Sequence, residues 1–140
     1  MIGSRRRFRQ ERILIVDSDL AIIRFLSAVF TPRFRIETAI NGAQALEKTE
    51  ATYFDVIISD VDLPVMSGLE WYFSALKHDP TIGARMLFLS GDVAPEALKT
   101  IKDKKLSFLA KPATLIEITN RVSTLLREPR IMSTDLNKRR

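Results

Sequence analysis

Along the chain, short apolar runs alternate with stretches whose apolar residues recur at helical spacing. Ile13-Leu14-Ile15-Val16, Val56-Ile57-Ile58-Ser59 and Met86-Leu87-Phe88-Leu89 are continuous rather than alternating, which suits strands covered on both faces. Phe34-Arg35-Ile36-Glu37-Thr38 alternates and predicts a strand nearer an edge, and Leu106-Ser107-Phe108-Leu109-Ala110 predicts a fifth. Between the runs, Leu20, Ile23, Leu26 and Phe30 share one face of a first helix that Pro32 stops. Asn41-Gly42 opens a second helix through Ala43, Leu46 and Glu47. Ser67 is placed to cap a third, which carries Leu69, Tyr72, Phe73 and Leu76 and ends before Pro80. Pro95 suits the first turn of a fourth, with Leu98 and Ile101 inward. Thr114 can cap a fifth, with Ile118, Val122 and Leu125 as its stripe. Five strand–helix repeats with short connections specify an α/β domain, a doubly wound parallel sheet with helices on both faces. Right-handed crossovers leave few topologies for it.

Composition narrows the picture without redirecting it. At 140 residues the chain holds one domain with a real core and is too short for two ordinary ones. No apolar run reaches the roughly 18 residues that span a bilayer. The arginines of Met1 to Arg12 do not form a secretory signal, so the expected location is the cytoplasm. The lack of cysteine excludes disulfides and thiolate metal sites.

The basic character lies in the tails. Residues 1–12 carry a net +4 and residues 127–140 a net +3, so of the total +5 the segment between them holds −2. The expected organisation is a basic N-terminal arm over 1–12, a folded domain over 13–126 and a basic C-terminal tail over 127–140. Such tails are ordinarily solvated arms. With no helix-turn-helix, zinc-finger or RNA-binding signature, nucleic-acid binding through this domain is not expected. Nor is a membrane partner.

Chemistry collects where such a sheet places its sites, outside the carboxyl ends of the strands. Asp17 follows the first strand, Asp60 the third, Ser90 the fourth and Lys111 the fifth. One carboxylate after a strand is usually a turn former or a helix cap. Four complementary groups at one edge suit phosphoryl transfer better. A carboxylate can be the nucleophile that becomes an aspartyl phosphate. Neighbouring carboxylates can hold Mg²⁺, a lysine supplies a point charge, and a serine hydroxyl supplies a hydrogen bond.

These residues resemble the receiver domains of two-component response regulators. Ile13 to Asp17 is similar to the family's first strand and acidic turn. Phe54-Asp55-Val56-Ile57-Ile58-Ser59-Asp60-Val61-Asp62-Leu63-Pro64-Val65-Met66-Ser67-Gly68 resembles its phosphoacceptor segment. Leu89-Ser90-Gly91 is similar to the switch hydroxyl and the small residue after it, and Phe108-Leu109-Ala110-Lys111-Pro112 to the fifth-strand lysine–proline. The resemblance covers roughly Arg12 to Leu126. It implies a flavodoxin-like (βα)5 topology with strand order 2-1-3-4-5 and a cis Lys111-Pro112 bond. It implies phosphorylation of Asp60 by a histidine kinase or histidine phosphotransfer protein, with Lys111 and Ser90 assisting. It also implies Mg²⁺ held by Asp17, Asp60 and the backbone carbonyl of Asp62, with Asp19 a further candidate ligand. Ser90 and Phe108 would be the switch residues, reshaping the face of the fourth helix, fifth strand and fifth helix for a protein target or an attached output domain. A homodimer is left open.

One departure bears on the metal. The family usually has two adjacent acids after the first strand, where this chain has Asp17-Ser18-Asp19. Ser18 thus occupies a ligand position with a neutral hydroxyl, so Mg²⁺ binding weaker than in a typical member is expected. Asp19 either caps the first helix or replaces the missing ligand. Phe108 lacks the hydroxyl of the tyrosine often found there. Asp62 either repels phosphate, orients water or is a solvated loop acid. His78, the only histidine, reads as a surface or C-terminal-turn residue, and Trp71 and Tyr72 as packing residues. Lys102 to Lys105 reads as a solvated turn beside the output face.

Two other functions compete. Asp60-Val61-Asp62 also resembles the nucleophile motif of haloacid-dehalogenase-type phosphatases. That motif normally lies on the first strand and lacks the Leu63-Pro64 that follows here. A degenerate receiver that binds partners without being phosphorylated is supported by Ser18 alone. A flavin or nucleotide domain lacks its glycine-rich loop. The expectation is a phosphoacceptor switch rather than a turnover enzyme.

Overall fold

The computed structural model describes residues 9–127; residues 1–8 of the basic arm and 128–140 of the basic tail lie outside the described residues. The elements run β1 (Arg12–Val16), α1 (Leu20–Phe30), β2 (Arg35–Ala39), α2 (Gly42–Ala51), β3 (Val56–Ser59) and α3 (Gly68–Ala75). A 3₁₀ turn (Ile82–Arg85) then leads to β4 (Met86–Ser90), α4 (Pro95–Asp103), β5 (Ser107–Ala110) and α5 (Leu115–Arg127). The strands form one parallel sheet in the order β2-β1-β3-β4-β5, as expected.

Strand alternation divides the core into two layers. Leu14, Val16, Ile57 and Phe88 face α2, α3 and α4, where Ala45, Trp71 and Ile101 meet them. Ile13, Ile15, Val56, Ile58, Leu87 and Leu89 face α1 and α5, where Ile23, Leu26, Phe30, Ile118, Val122 and Leu125 close the layer. Apart from the half-buried Arg12 that opens β1, the three central strands are buried, and the alternating β2 lies at an edge.

Local signals fix the helix starts. Asn41 accepts from Gln44 N, and Ser67 forms a capping box with Glu70. Thr114 and Glu117 make the same reciprocal pair at α5, at 3.1 and 2.7 Å. Pro95 sits in the first turn of α4. The Lys111–Pro112 bond is cis.

Two expected inward positions are exposed. Leu20 is 53% exposed because it opens α1 at the rim of the sheet, where no element covers it. Phe73, 41% exposed, leans on Tyr72, with the Lys104 ammonium 5.9 Å from its ring centre.

At the amino-terminal edge of the sheet, Arg85 lies buried before β4. It donates to Phe54 O at 2.8 Å and to Asp79 Oδ2 at 2.7 Å, and its guanidinium lies 4.3 Å from the Tyr53 ring centre. Burial raises the Asp79 pKa, but hydrogen bonds from Arg85 and Thr81 and the Arg85 charge outweigh it, so the net shift is downward. Nearby, the buried Asp55 accepts from Arg12 N at 2.8 Å. These contacts pin the ends of β1, β3 and β4 opposite the predicted site.

Candidate functional site

The parallel ladder continues one step past each strand and sets the polar residues side by side. Asp17 N donates to Ala39 O at 3.1 Å, Asp60 N to Val16 O at 2.9 Å, and Lys111 N to Ser90 O at 2.8 Å. Adjacent β1 and β3 lead to helices on opposite faces, so Asp17 and Asp60 border the crevice where strand order reverses. Lys111, on the outer strand β5, has the long side chain needed to reach across β4 to both.

Asp60 is 9% exposed, and both its oxygens are engaged. Oδ1 accepts a 2.5 Å hydrogen bond from Ser90 Oγ and a 3.2 Å bond from Asp62 N. Oδ2 accepts from Lys111 Nζ at 3.2 Å, and the same ammonium lies 2.8 Å from Asp17 Oδ2. Ser90 is itself fixed, since its Oγ also accepts from Val61 N at 3.3 Å. Burial pulls the Lys111 pKa down, but the hydrogen bond to Asp17 and the charges of Asp60 and Asp17 outweigh it, leaving the ammonium more basic than an ordinary lysine. Lys111 thus stays cationic at neutral pH.

The remaining predicted residues stand further out. Asp17 is buried and accepts from Asp19 N at 2.9 Å. The Asp19 carboxylate accepts from Ala21 N at 2.9 Å as the cap of α1, and Ser18 between them is exposed. Asp62 is exposed, and Phe108 is half-buried against the core layer of α2–α4. His78 lies beyond α3, with Nδ1 3.9 Å from Glu50 Oε2.

Sequence reading missed the support beneath Asp60. Trp71 Nε1 donates to Ser59 Oγ at 3.2 Å, and Ser59 Oγ donates to Asp60 O at 2.8 Å. A buried indole linked to the Asp60 main chain needs contacts twelve residues apart, which no local pattern encodes. Gly68 has a steric role that its place in the motif does not reveal. A Cβ there would fall 2.3 Å from Asp60 O, so the loop can return this close only over a glycine.

For a divalent cation, the carboxylates of Asp17 and Asp60 are hard oxygen donors, and Mg²⁺ is commonly bound by one or two carboxylates with several waters. The donor set therefore fits Mg²⁺, but sparsely. Among the described residues, no group of three His, Cys, Asp or Glu side chains is arranged to hold a metal ion.

The family model of the response regulator receiver domain matches residues 13–123. The chain belongs to that family. This receiver domain is 31% identical over 125 residues to the transcriptional regulatory protein ZraR of Klebsiella oxytoca, covering 87% of this chain and 28% of that protein. The chain spans between 27% and 50% of the length of the curated relatives it matches. Among solved structures, the Vibrio cholerae chemotaxis protein CheY4 superposes with a TM-score of 0.69 at 30% identity, covering 81% of this chain and 99% of that one. The signal receiver domain of an HD domain-containing protein from Pseudomonas fluorescens gives a TM-score of 0.74 at 26% identity, covering 84% and 95%. The protein is thus a two-component receiver domain with the flavodoxin-like order expected. Among the described residues, no helix is long and apolar enough to cross a membrane.

Proposed function

We propose that this receiver domain takes a phosphoryl group onto Asp60 from a phosphohistidine of a histidine kinase or histidine phosphotransfer protein. The observation that carries the reading is the Asp60 carboxylate, flanked by the Lys111 ammonium on one oxygen and the Ser90 hydroxyl on the other. An Asp60 oxygen attacks phosphorus, an O–P bond forms, and the N–P bond to the donor breaks as its imidazole leaves. Lys111 offers a charge-assisted hydrogen bond to a phosphoryl oxygen, and Ser90 can donate to another. Asp17, Asp60 and the main-chain carbonyl of Asp62 are the residues that would hold Mg²⁺. When bound, that ion supplies positive charge to the phosphoryl oxygens. The domain is a stoichiometric acceptor rather than a turnover enzyme, over residues 13–126 in the cytoplasm.

The Ser90 hydroxyl is the sensor in this reading, and Phe108 the packing residue that follows it. The readout is the α4–β5–α5 face, offered to a protein target or an attached output domain. Such a change is a small two-state shift biased by local charge.

Intact-mass analysis after incubation with Mg²⁺ and acetyl phosphate tests the reading. Wild type gains one phosphoryl mass and Asp60→Asn gains none. A second reading, a receiver that binds partners without phosphorylation, is favoured by the sparse metal ligands. No mass gain in wild type at high Mg²⁺ selects it.

A further inference from the structure

The loop between β3 and α3 is strained in a way that the acceptor chemistry does not use. Met66 N donates to Pro64 O at 2.7 Å, and Val65 between them has φ 69°. A three-residue turn with positive φ at its centre is rare and strained. For a β-branched side chain this backbone is an outlier, whereas glycine or asparagine adopts it at less cost.

Such strain persists where the surroundings impose it, and it gathers at functional sites. Here both flanks of the loop are fixed. A Cβ on Gly42 would fall 1.9 Å from Met66 O, so the start of α2 is pressed against the loop. On the other flank Gly68 N donates to Val61 O at 2.7 Å. The loop is therefore a rigid hook on the acceptor's own strand, and Val65 at its tip is 80% exposed.

Val65 has company. Leu20 follows β1, Ile40 follows β2, and Leu115 and Ile116 follow β5, so among the described residues five of the eight exposed large hydrophobics lie just past the carboxyl end of a strand. All five sit at the sheet edge that also carries Asp17 and Asp60. A small phosphate compound needs only the polar centre, whereas an apolar rim has area to bury against a macromolecule. A second copy docked on this edge would face two acidic recesses against each other and close both to any donor.

We propose that Val65 is a specificity-determining anchor for the phosphodonor protein, held out by the strained turn to pack against an apolar patch beside the donor's phosphohistidine. The proposal rests on Asp60 as the acceptor. It separates two steps that share one nucleophile, since a small donor bypasses the rim and a protein donor does not.

The test compares wild type with Val65→Asn, Val65→Gly and Val65→Leu. Each is labelled by acetyl phosphate, and each receives phosphate from ATP-charged cytoplasmic cores of a histidine-kinase panel, using the core fastest on wild type. The expected result is acetyl phosphate labelling within about twofold of wild type for all three, since no reacting group is altered. From the kinase core, Asn and Gly slow transfer about tenfold, the loss of one valine-sized contact, while Leu keeps most of the rate. The Asn and Gly variants also melt a few degrees higher as the strain is relieved. Unchanged transfer to Asn and Gly overturns the proposal, as does equal slowing with acetyl phosphate, which would make Val65 a shaper of the site. Wild type that gains no mass from acetyl phosphate overturns the Asp60 reading first, and this one with it.

Discussion

Replacing Ser18 by aspartate tests the metal chemistry at the position where the resemblance to receiver domains leads one to expect a second acid. Ser18 is exposed beside the buried Asp17, so an added carboxylate acts through a water-like dielectric rather than a dry interior. At about 4 Å in such a medium, unit charges interact by about 1 kcal/mol, and a divalent ion doubles that to about 2 kcal/mol. Repulsion between the new carboxylate and its acidic neighbours is present with and without metal, so it cancels from the affinity. It remains as a loss of about 1 kcal/mol in the metal-free stability. Allowing for salt screening, Ser18→Asp binds Mg²⁺ about tenfold more tightly than wild type. Trp71 reports it, because its indole is fully buried and hydrogen-bonded to Ser59 beneath the acceptor. Fluorescence titration with Mg²⁺ gives both affinities, and thermal melts with and without the ion give the opposing stability changes. Equal affinities, or weaker binding in Ser18→Asp, would refute the reasoning and remove the charge deficit at residue 18 as the limit on metal binding.

Other outcomes follow from the packing. Arg85→Met leaves Asp79 without its cation, and because that side chain is 26% exposed the loss is about 2 kcal/mol, below the usual range for a buried pair, read by urea unfolding. The Asp79 pKa is lowered in the fold, so the pair's contribution is complete above the ordinary value of 3.8 and fades as pH falls through the depressed one. Arg85→Met should weaken that acid-side dependence, leaving only what Thr81 supplies; an undiminished one would assign it to other carboxylates. Gly42→Ala forces a Cβ to within 1.9 Å of Met66 O, a backbone atom, and should cost about 2 kcal/mol in urea unfolding while slowing acetyl phosphate labelling of Asp60. Unaltered stability would show that the β3–α3 loop is free to move.

Much of the fold was legible because its signals are local. Continuous apolar runs marked the buried strands, the alternation of β2 marked an edge, and Asn41, Ser67 and Thr114 marked helix starts by chemistry a few residues long. A polar residue at the end of four of the five strands pointed to the candidate site because parallel strands bring their carboxyl ends to one edge. Ser18 and Asp19 show the limit of that reading. Spacing alone left Asp19 as a cap or a ligand, whereas the structure gives its carboxylate to Ala21 N. Arg85 was invisible because Phe54 and Asp79 meet it only after β3 and β4 pair. Val65 was invisible for another reason. Its positive φ is imposed by Gly42 and Gly68 on either side, while the residue itself carries none of the usual marks of a left-handed turn.

Lys111 joins positions 94 and 51 residues away in the chain, Asp17 and Asp60, at one ammonium. No shorter stretch of the polypeptide contains the whole constellation. A growing chain that has reached Asp60, or even Ser90, therefore has the acceptor but not its cation, and β5 must emerge and pair before the two acids are neutralised. On the proposed reading, susceptibility to phosphorylation then becomes a property of finished molecules. A nascent or clipped receiver would be silent in a signalling pathway rather than wrongly switched on.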